Sequence, residues 1–158
     1  MTFLTTAKFL SLKIMIINPC VGAAEMTLVD TSVLIDKLRK NENNKTALLD
    51  RLHETKSPYG ISIYTFHEIL QGAKFEPEFN RLYHYFSTQN IFYLPMSQTV
   101  YVESAKLCFA LRRQGFATCN TIDILIAFTA IYHQLPLLHN DRDFDFIAER
   151  VPKLTIMN

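Results

Sequence analysis

The chain has 158 residues, 49% hydrophobic and 20% charged, the size and composition of one domain around a single core. Sixteen basic against fifteen acidic residues leave a net charge of +1, which excludes nucleic-acid binding by bulk positive charge and makes any such contact local. Cys20, Cys108 and Cys119 are odd in number and lack Cys-x-x-Cys spacing, which argues against a disulfide framework and a zinc knuckle and for a reducing, cytoplasmic compartment.

In chain order, "AKFLSLKIMIINPCVGAAEM" has the outline of a secretory signal, but Lys13 and Asn18–Pro19 cut its apolar centre short. Residues 1–25 are therefore expected to be an extension, either an over-extended start or a loose arm, and residues 26–158 the domain. No apolar run reaches the roughly 18 residues of a membrane span. Beyond Met26, short apolar runs alternate with stretches of helical spacing, the pattern of an α/β domain with a mostly parallel sheet. Strands are expected at residues 28–29, 60–63, 91–94, 137–138 and, more weakly, 154–156. Helices are expected at 33–39, 45–54, 64–71, 76–87, 99–114, 121–133 and 143–149. "NENN", Gly72, Pro77, Pro95, Gly115 and Pro136 punctuate them.

Asp30 ends the first apolar run, where open α/β sheets place their ligands. Glu68, Asp123 and Asp141 occupy comparable positions after the second strand, early in the helix at 121 and after "PLLHN". Each has a structural explanation. Asp30 can cap the next helix, Thr65 and Glu68 have capping-box spacing, Asp123 can complement a helix dipole, and Asp141 can sit in a turn. Their shared placement at one sheet edge points instead to a site. Four close carboxylates repel, and hard oxygen ligands select magnesium or manganese, the ions used for in-line attack on phosphodiesters.

"LVDTSVLID", "YTFHEILQGA", "NTIDILIAFTAI" and "LLHNDRDFDFI" resemble, in order, the four sequence blocks of PIN-domain ribonucleases, in particular the VapC-like toxins of bacterial toxin–antitoxin pairs. With "LRRQG" they cover Thr27 to about Pro152. The resemblance implies a Rossmann-like sheet of about five strands and a Mg²⁺- or Mn²⁺-dependent endoribonuclease that hydrolyses RNA, often tRNA or rRNA, with a metal-activated water. It further implies a cognate antitoxin. Carried over by position, Asp30, Glu68, Asp123 and Asp141 are the catalytic and metal-holding carboxylates. Thr31, Ser32 and Asp143 support them. His139 departs from the family, which commonly has Thr there, and the 25-residue leader is also unlike it.

Other residues are weighed on their own chemistry. Ile122, Leu125, Ile126 and Thr129 form one apolar stripe with Asp123 off it, and Asn120 or Thr121 would cap that helix. Arg112 and Arg113 end a helix, where they either complement its dipole or grip RNA phosphates. The five histidines lack His-x-x-x-His spacing, so zinc is not expected. Phe75, Phe79 and "LYHYF" exceed what one aqueous face tolerates and are expected to cover a homodimer seam or an antitoxin groove. Two other classes compete. An aspartyl-phosphate phosphatase needs a second Asp where Ser32 stands, and a non-catalytic, receiver-like or degenerate module would use the acidic pocket for a cation only, or not at all.

Overall fold

Successive residues of a strand face opposite ways, and in strand β1 (Thr27–Val29) Leu28 and Val29 belong to different apolar clusters. Both faces of the sheet are therefore covered, as all-parallel sheets require. The computed structural model describes residues 26–116 and 120–158, so the expected extension at 1–25, Cys20 and Cys119 lie outside the described residues.

Strand β1 leads into helix α1 (Thr31–Leu38) and α2 (Asn44–Glu54). Then come β2 (Tyr59–Ser62), α3 (Ile63–Gln71), α4 (Glu76–Phe86), β3 (Asn90–Phe92), α5 (Gln98–Arg113), α6 (Thr121–His133), β4 (Leu137–Leu138) and α7 (Arg142–Arg150). The strands run parallel in the order β3-β2-β1-β4. The chain first builds outward from β1 to β3 and then returns to place β4 on the other side of β1. That reversal makes the carboxyl ends of β1 and β4 a topological switch point, where a crevice opens.

The expected fifth strand at 154–156 is reduced to a single parallel bridge, Leu137 to Ile156. Leu137 N–H donates to Thr155 O and Met157 N–H to Leu137 O, at 2.8 and 2.9 Å. Pro152 and Lys153, just before it, leave too little extended chain for a longer ladder.

One apolar cluster joins Leu28 and Leu137 to α5, α6 and α7, and the other joins Val29, Ile61 and Leu138 to α1, α2 and α3. Helix α6 is buried continuously from Ile124 to Ile131, so the expected single apolar stripe is too narrow. The helix packs against α3, α5 and α7 together.

β2 and β3 approach closely at Gly60. A Cβ there would meet the Phe92 ring at 2.5 Å and Asn90 O at 2.6 Å. The second neighbour is backbone and cannot swing aside. Gly60→Ala is expected to lower stability by about 1–3 kcal/mol, measured as a shifted urea midpoint with unchanged slope; an unshifted midpoint would show that the strands part there without cost.

Candidate active site

Asp30 and Asp141 are helix N-caps that follow strand ends, Glu68 lies in the second turn of α3, and Asp123 lies in the first turn of α6. Asp30 is the N-cap of α1 and 4% exposed; its Oδ2 accepts from Ser32 N–H at 2.9 Å and Ser32 Oγ at 2.6 Å. It is at once the expected cap and the floor of the crevice. Thr31 Oγ1 donates to Glu68 Oε2 at 2.5 Å, which fixes the second carboxylate against the first turn of α1. The expected Thr65–Glu68 capping box does not form. Ser62 caps α3 instead, its Oγ accepting from Thr65 N–H at 2.9 Å, and this frees Glu68 for Thr31.

Asp123 sits in the first turn of α6, whose cap is Asn120, accepting from Ile122 N–H at 3.1 Å. Packing of α6 on α3 brings Asp123 toward Glu68. Asp141 is the N-cap of α7 and accepts from Asp143 N–H at 2.9 Å.

These groups share one electrostatic environment. Burial pushes the Asp123 carboxyl up to about 7, with Asp141, Asp30, Glu68 and Asp143 each raising it further through like charge. Burial likewise lifts Asp30 to about 6, against the lowering by the Ser32 and Thr31 hydrogen bonds and with a smaller push from Glu68. Asp143 is raised by burial and by Asp141. Among the described residues, no Lys or Arg forms an ion pair with any of the four carboxylates.

Asn140, missed from sequence alone, completes the rim together with His139. Asn140 N–H donates to Ser32 Oγ at 2.9 Å, and Asn140 Nδ2 donates to Asp36 Oδ2 at 2.7 Å. The Asn immediately before Asp141 was the available signal. His139, 2% exposed, accepts at Nδ1 from Asp141 N–H at 3.3 Å, so its proton sits on Nε2. Burial holds its pKa below the usual value, and among the described residues Nε2 is the buried side-chain atom without a hydrogen-bond partner. His67 is exposed.

A PIN-domain family model matches residues 27–150. The chain belongs to the PIN-domain family. No curated protein matches it by sequence. Among solved structures, the fold is similar to that of VapBC2 from Rickettsia felis bound to a DNA fragment from its promoter, at 20% identity and TM-score 0.62 over 84% of this chain and 98% of that one. It is similar to VapBC-1 from nontypeable Haemophilus influenzae, at 21% identity and 0.61 over 84% and 97%. It is also similar to DNA-bound VapBC from Salmonella typhimurium, at 20% and 0.61 over 84% and 96%. Membership removes the aspartyl-phosphate phosphatase and receiver alternatives.

The donor set of this PIN domain suits a hard, hydrated cation: carboxylate oxygens in mutual repulsion, with neutral hydrogen-bond partners. It is not a closed cage. Among the described residues no three His, Cys, Asp or Glu side chains stand close enough to surround one ion. Magnesium fits such a site because it keeps several waters and takes only one or two carboxylates.

Arg112 and Arg113 do not join the acids. Arg112 lines a half-open cavity of 310 Å³ between α5 and α6, together with Thr121, Ile124 and Leu125. Thr121 and Leu125 lie ~160° around α6 from Asp123 on a helix of 3.6 residues per turn, so the cavity faces away from the crevice. Arg113 lies over the Phe109 ring at 5.9 Å. Cys108 lies on the same wall.

The carboxyl shifts have a sign. Asp30 rises from 3.8 to about 6 on folding, so its contribution to stability is fully present below pH 3.8 and is lost as pH climbs through 6. At pH 8 the loss is on the order of 2–3 kcal/mol. Asp30→Asn retains an acceptor for both Ser32 donors and removes the buried charge. It should raise the metal-free stability by about 1–2 kcal/mol at pH 8 and by nothing near pH 4, as read by thermal melts; equal effects at both pH values would show that charge burial is not the cause.

Proposed function

We propose that this PIN domain is a divalent-metal-dependent endoribonuclease, the toxin of a toxin–antitoxin pair, that hydrolyses RNA phosphodiester bonds in the cytoplasm. The observation that carries the reading is that Asp141, Asp30 and Glu68 each raise the Asp123 carboxyl while, among the described residues, no Lys or Arg pairs with any of the four, two of them pushed to about 6 and 7. Sites arranged in this way are built to receive positive charge.

Asp30, Glu68, Asp123 and Asp141 would between them hold one or two Mg²⁺ or Mn²⁺ ions, each ion keeping several waters. The bound cation supplies Lewis acidity, polarising phosphate oxygens and neutralising charge that grows as the 3′-oxygen leaves. The chain's own residues set the stage. Ser32 turns the Asp30 carboxylate by two donors, Thr31 turns Glu68 by one, and the Asp143 amide turns Asp141. Burial and the surrounding acids raise the Asp123 carboxyl, so a cation that binds there displaces protons. Asp143 adds negative charge at the edge of the crevice.

Arg112 and Arg113, at the end of α5 and on the side away from the crevice, would meet RNA phosphates remote from the bond that is cut. The partners proposed are a cognate antitoxin and a second copy of the chain. The antitoxin is favoured by the solved relatives, which are toxin–antitoxin complexes. Phe75, Phe79, Tyr83 and Tyr85 on and beside α4 stand exposed, as a protein-binding face requires. Among the described residues no helix is long and apolar enough to cross a membrane.

A second reading, a degenerate module that binds a cation without cleaving RNA, is favoured by the absence of a closed three-ligand cage among the described residues. On both readings Mn²⁺ binding is accompanied by proton release that diminishes as pH rises from 6 to 8, seen as buffer-dependent heats in calorimetry. Cleavage of RNA separates the two, and the nuclease cuts where the module does not. Asp123→Asn and Glu68→Gln then each lose at least ~100-fold in cleavage rate while remaining folded. Mn²⁺ binding with no cleavage of total RNA by the parent protein would leave only the module.

A further inference from the structure

Asn140 reaches across the crevice in two ways. Its backbone N–H donates to Ser32 Oγ, the same oxygen that donates to Asp30 Oδ2. Its side-chain amide donates to Asp36 Oδ2. Ser32 and Asp36 are four residues apart and share one face of α1, so Asn140 grips two successive turns of the helix that begins at Asp30. Asp36 is itself held in place: Asn43 Nδ2 donates to Oδ2 at 2.9 Å and Asn41 Nδ2 to Oδ1 at 3.2 Å. Asn43 in turn caps α2, accepting from Lys45 and Thr46 N–H. The Asp36 carboxylate is thus a hub for amides from the α1–α2 connection and from the β4–α7 turn. One residue beyond Asn140 lies Asp141.

We infer that Asn140 and Asp36 form a positioning pair that sets the separation of Asp141 from Asp30 across the crevice. The inference deepens the nuclease reading and rests on it for its effect on catalysis. Neither residue touches the reacting atoms. Losing the pair leaves both carboxylates present and releases the rim that bears one of them. Asn140 is exposed, so its removal does not open the core.

The test is a double-mutant cycle of Asn140→Ala and Asp36→Ala on the full chain. It is read by amide hydrogen exchange at residues 139–143 without metal, by Mn²⁺ affinity, and by RNA cleavage. Each single variant should speed exchange at 139–143 with the melting temperature of the Asn140 variant nearly unchanged. Each should weaken Mn²⁺ binding by about tenfold and reduce kcat by about 10–100-fold with KM unaltered. Adding Asn140→Ala to Asp36→Ala should change none of the three further. Unchanged exchange at 139–143, or effects that multiply in the double variant, would overturn the pair. A parent protein that neither binds Mn²⁺ nor cleaves RNA would sink the nuclease reading, while the exchange cycle would still decide whether the pair positions the rim.

Discussion

Burying a carboxylate at the end of a parallel strand is the constraint on which the rest of this molecule turns. Water is excluded at Asp30 by apolar clusters on both faces of the sheet, so the residue is 4% exposed. Desolvation of this kind is tolerable only with good hydrogen bonds. Its position as N-cap supplies them, because the first amides of α1 would otherwise lack partners. Relief is incomplete, and the carboxyl remains at about 6. Asp123 adds a second unrelieved charge to the same crevice. Two layers of helices packed on the sheet supply the apolar burial that offsets this excess.

The donors around the acids are hydroxyls and backbone amides, and that choice has a physical consequence. A Lys or Arg would orient a carboxylate and neutralise it in one step, leaving nothing to attract a divalent ion. Thr31, Ser32 and the Asp143 amide orient Glu68, Asp30 and Asp141 while leaving the negative potential in place. Orientation and charge are controlled separately. The cost falls on the stability of the metal-free protein above neutral pH, where the carboxyls must be ionised.

Much of this was legible in the sequence, for reasons that can be named. The limits of α6 were readable because Asn120 and Thr121 mark its start, and β4 because two leucines follow Pro136. Alternation of short apolar runs with helical spacing carried the parallel α/β architecture. Asp30, Glu68 and Asp141 were singled out by their places after strands and Asp123 by its place near the start of α6; Asp141, Asp30 and Glu68 each raise the Asp123 carboxyl through like charge. What escaped was non-local or fine-grained. The Thr65–Glu68 spacing fitted a capping box equally well, yet Ser62, outside that window, won the role. The final strand shortened to a single bridge because Pro152 and Lys153 leave little extended chain before it. Asn140 and Asp36 are joined across the chain with no periodicity to announce them.

The two sides of the crevice differ in how firmly they are built. Asp30 is sunk between packed layers, and Glu68 is tied to Thr31 on a helix whose neighbours, Thr65 and Ile69, are buried. Asp141 and Asn140, by contrast, are exposed on a turn between a two-residue strand and a helix. Among the described residues no three acids surround a common point. The floor is fixed by packing, and the rim is fixed by two neutral contacts instead. From below, His139 accepts the Asp141 N–H while its ring lies 5.1 Å from that of Phe144, centroid to centroid. From the side, Asn140 ties the turn to Ser32 and Asp36 on α1. The placement of the exposed acid thus depends on neighbours that, like those of the buried ones, leave its charge uncompensated.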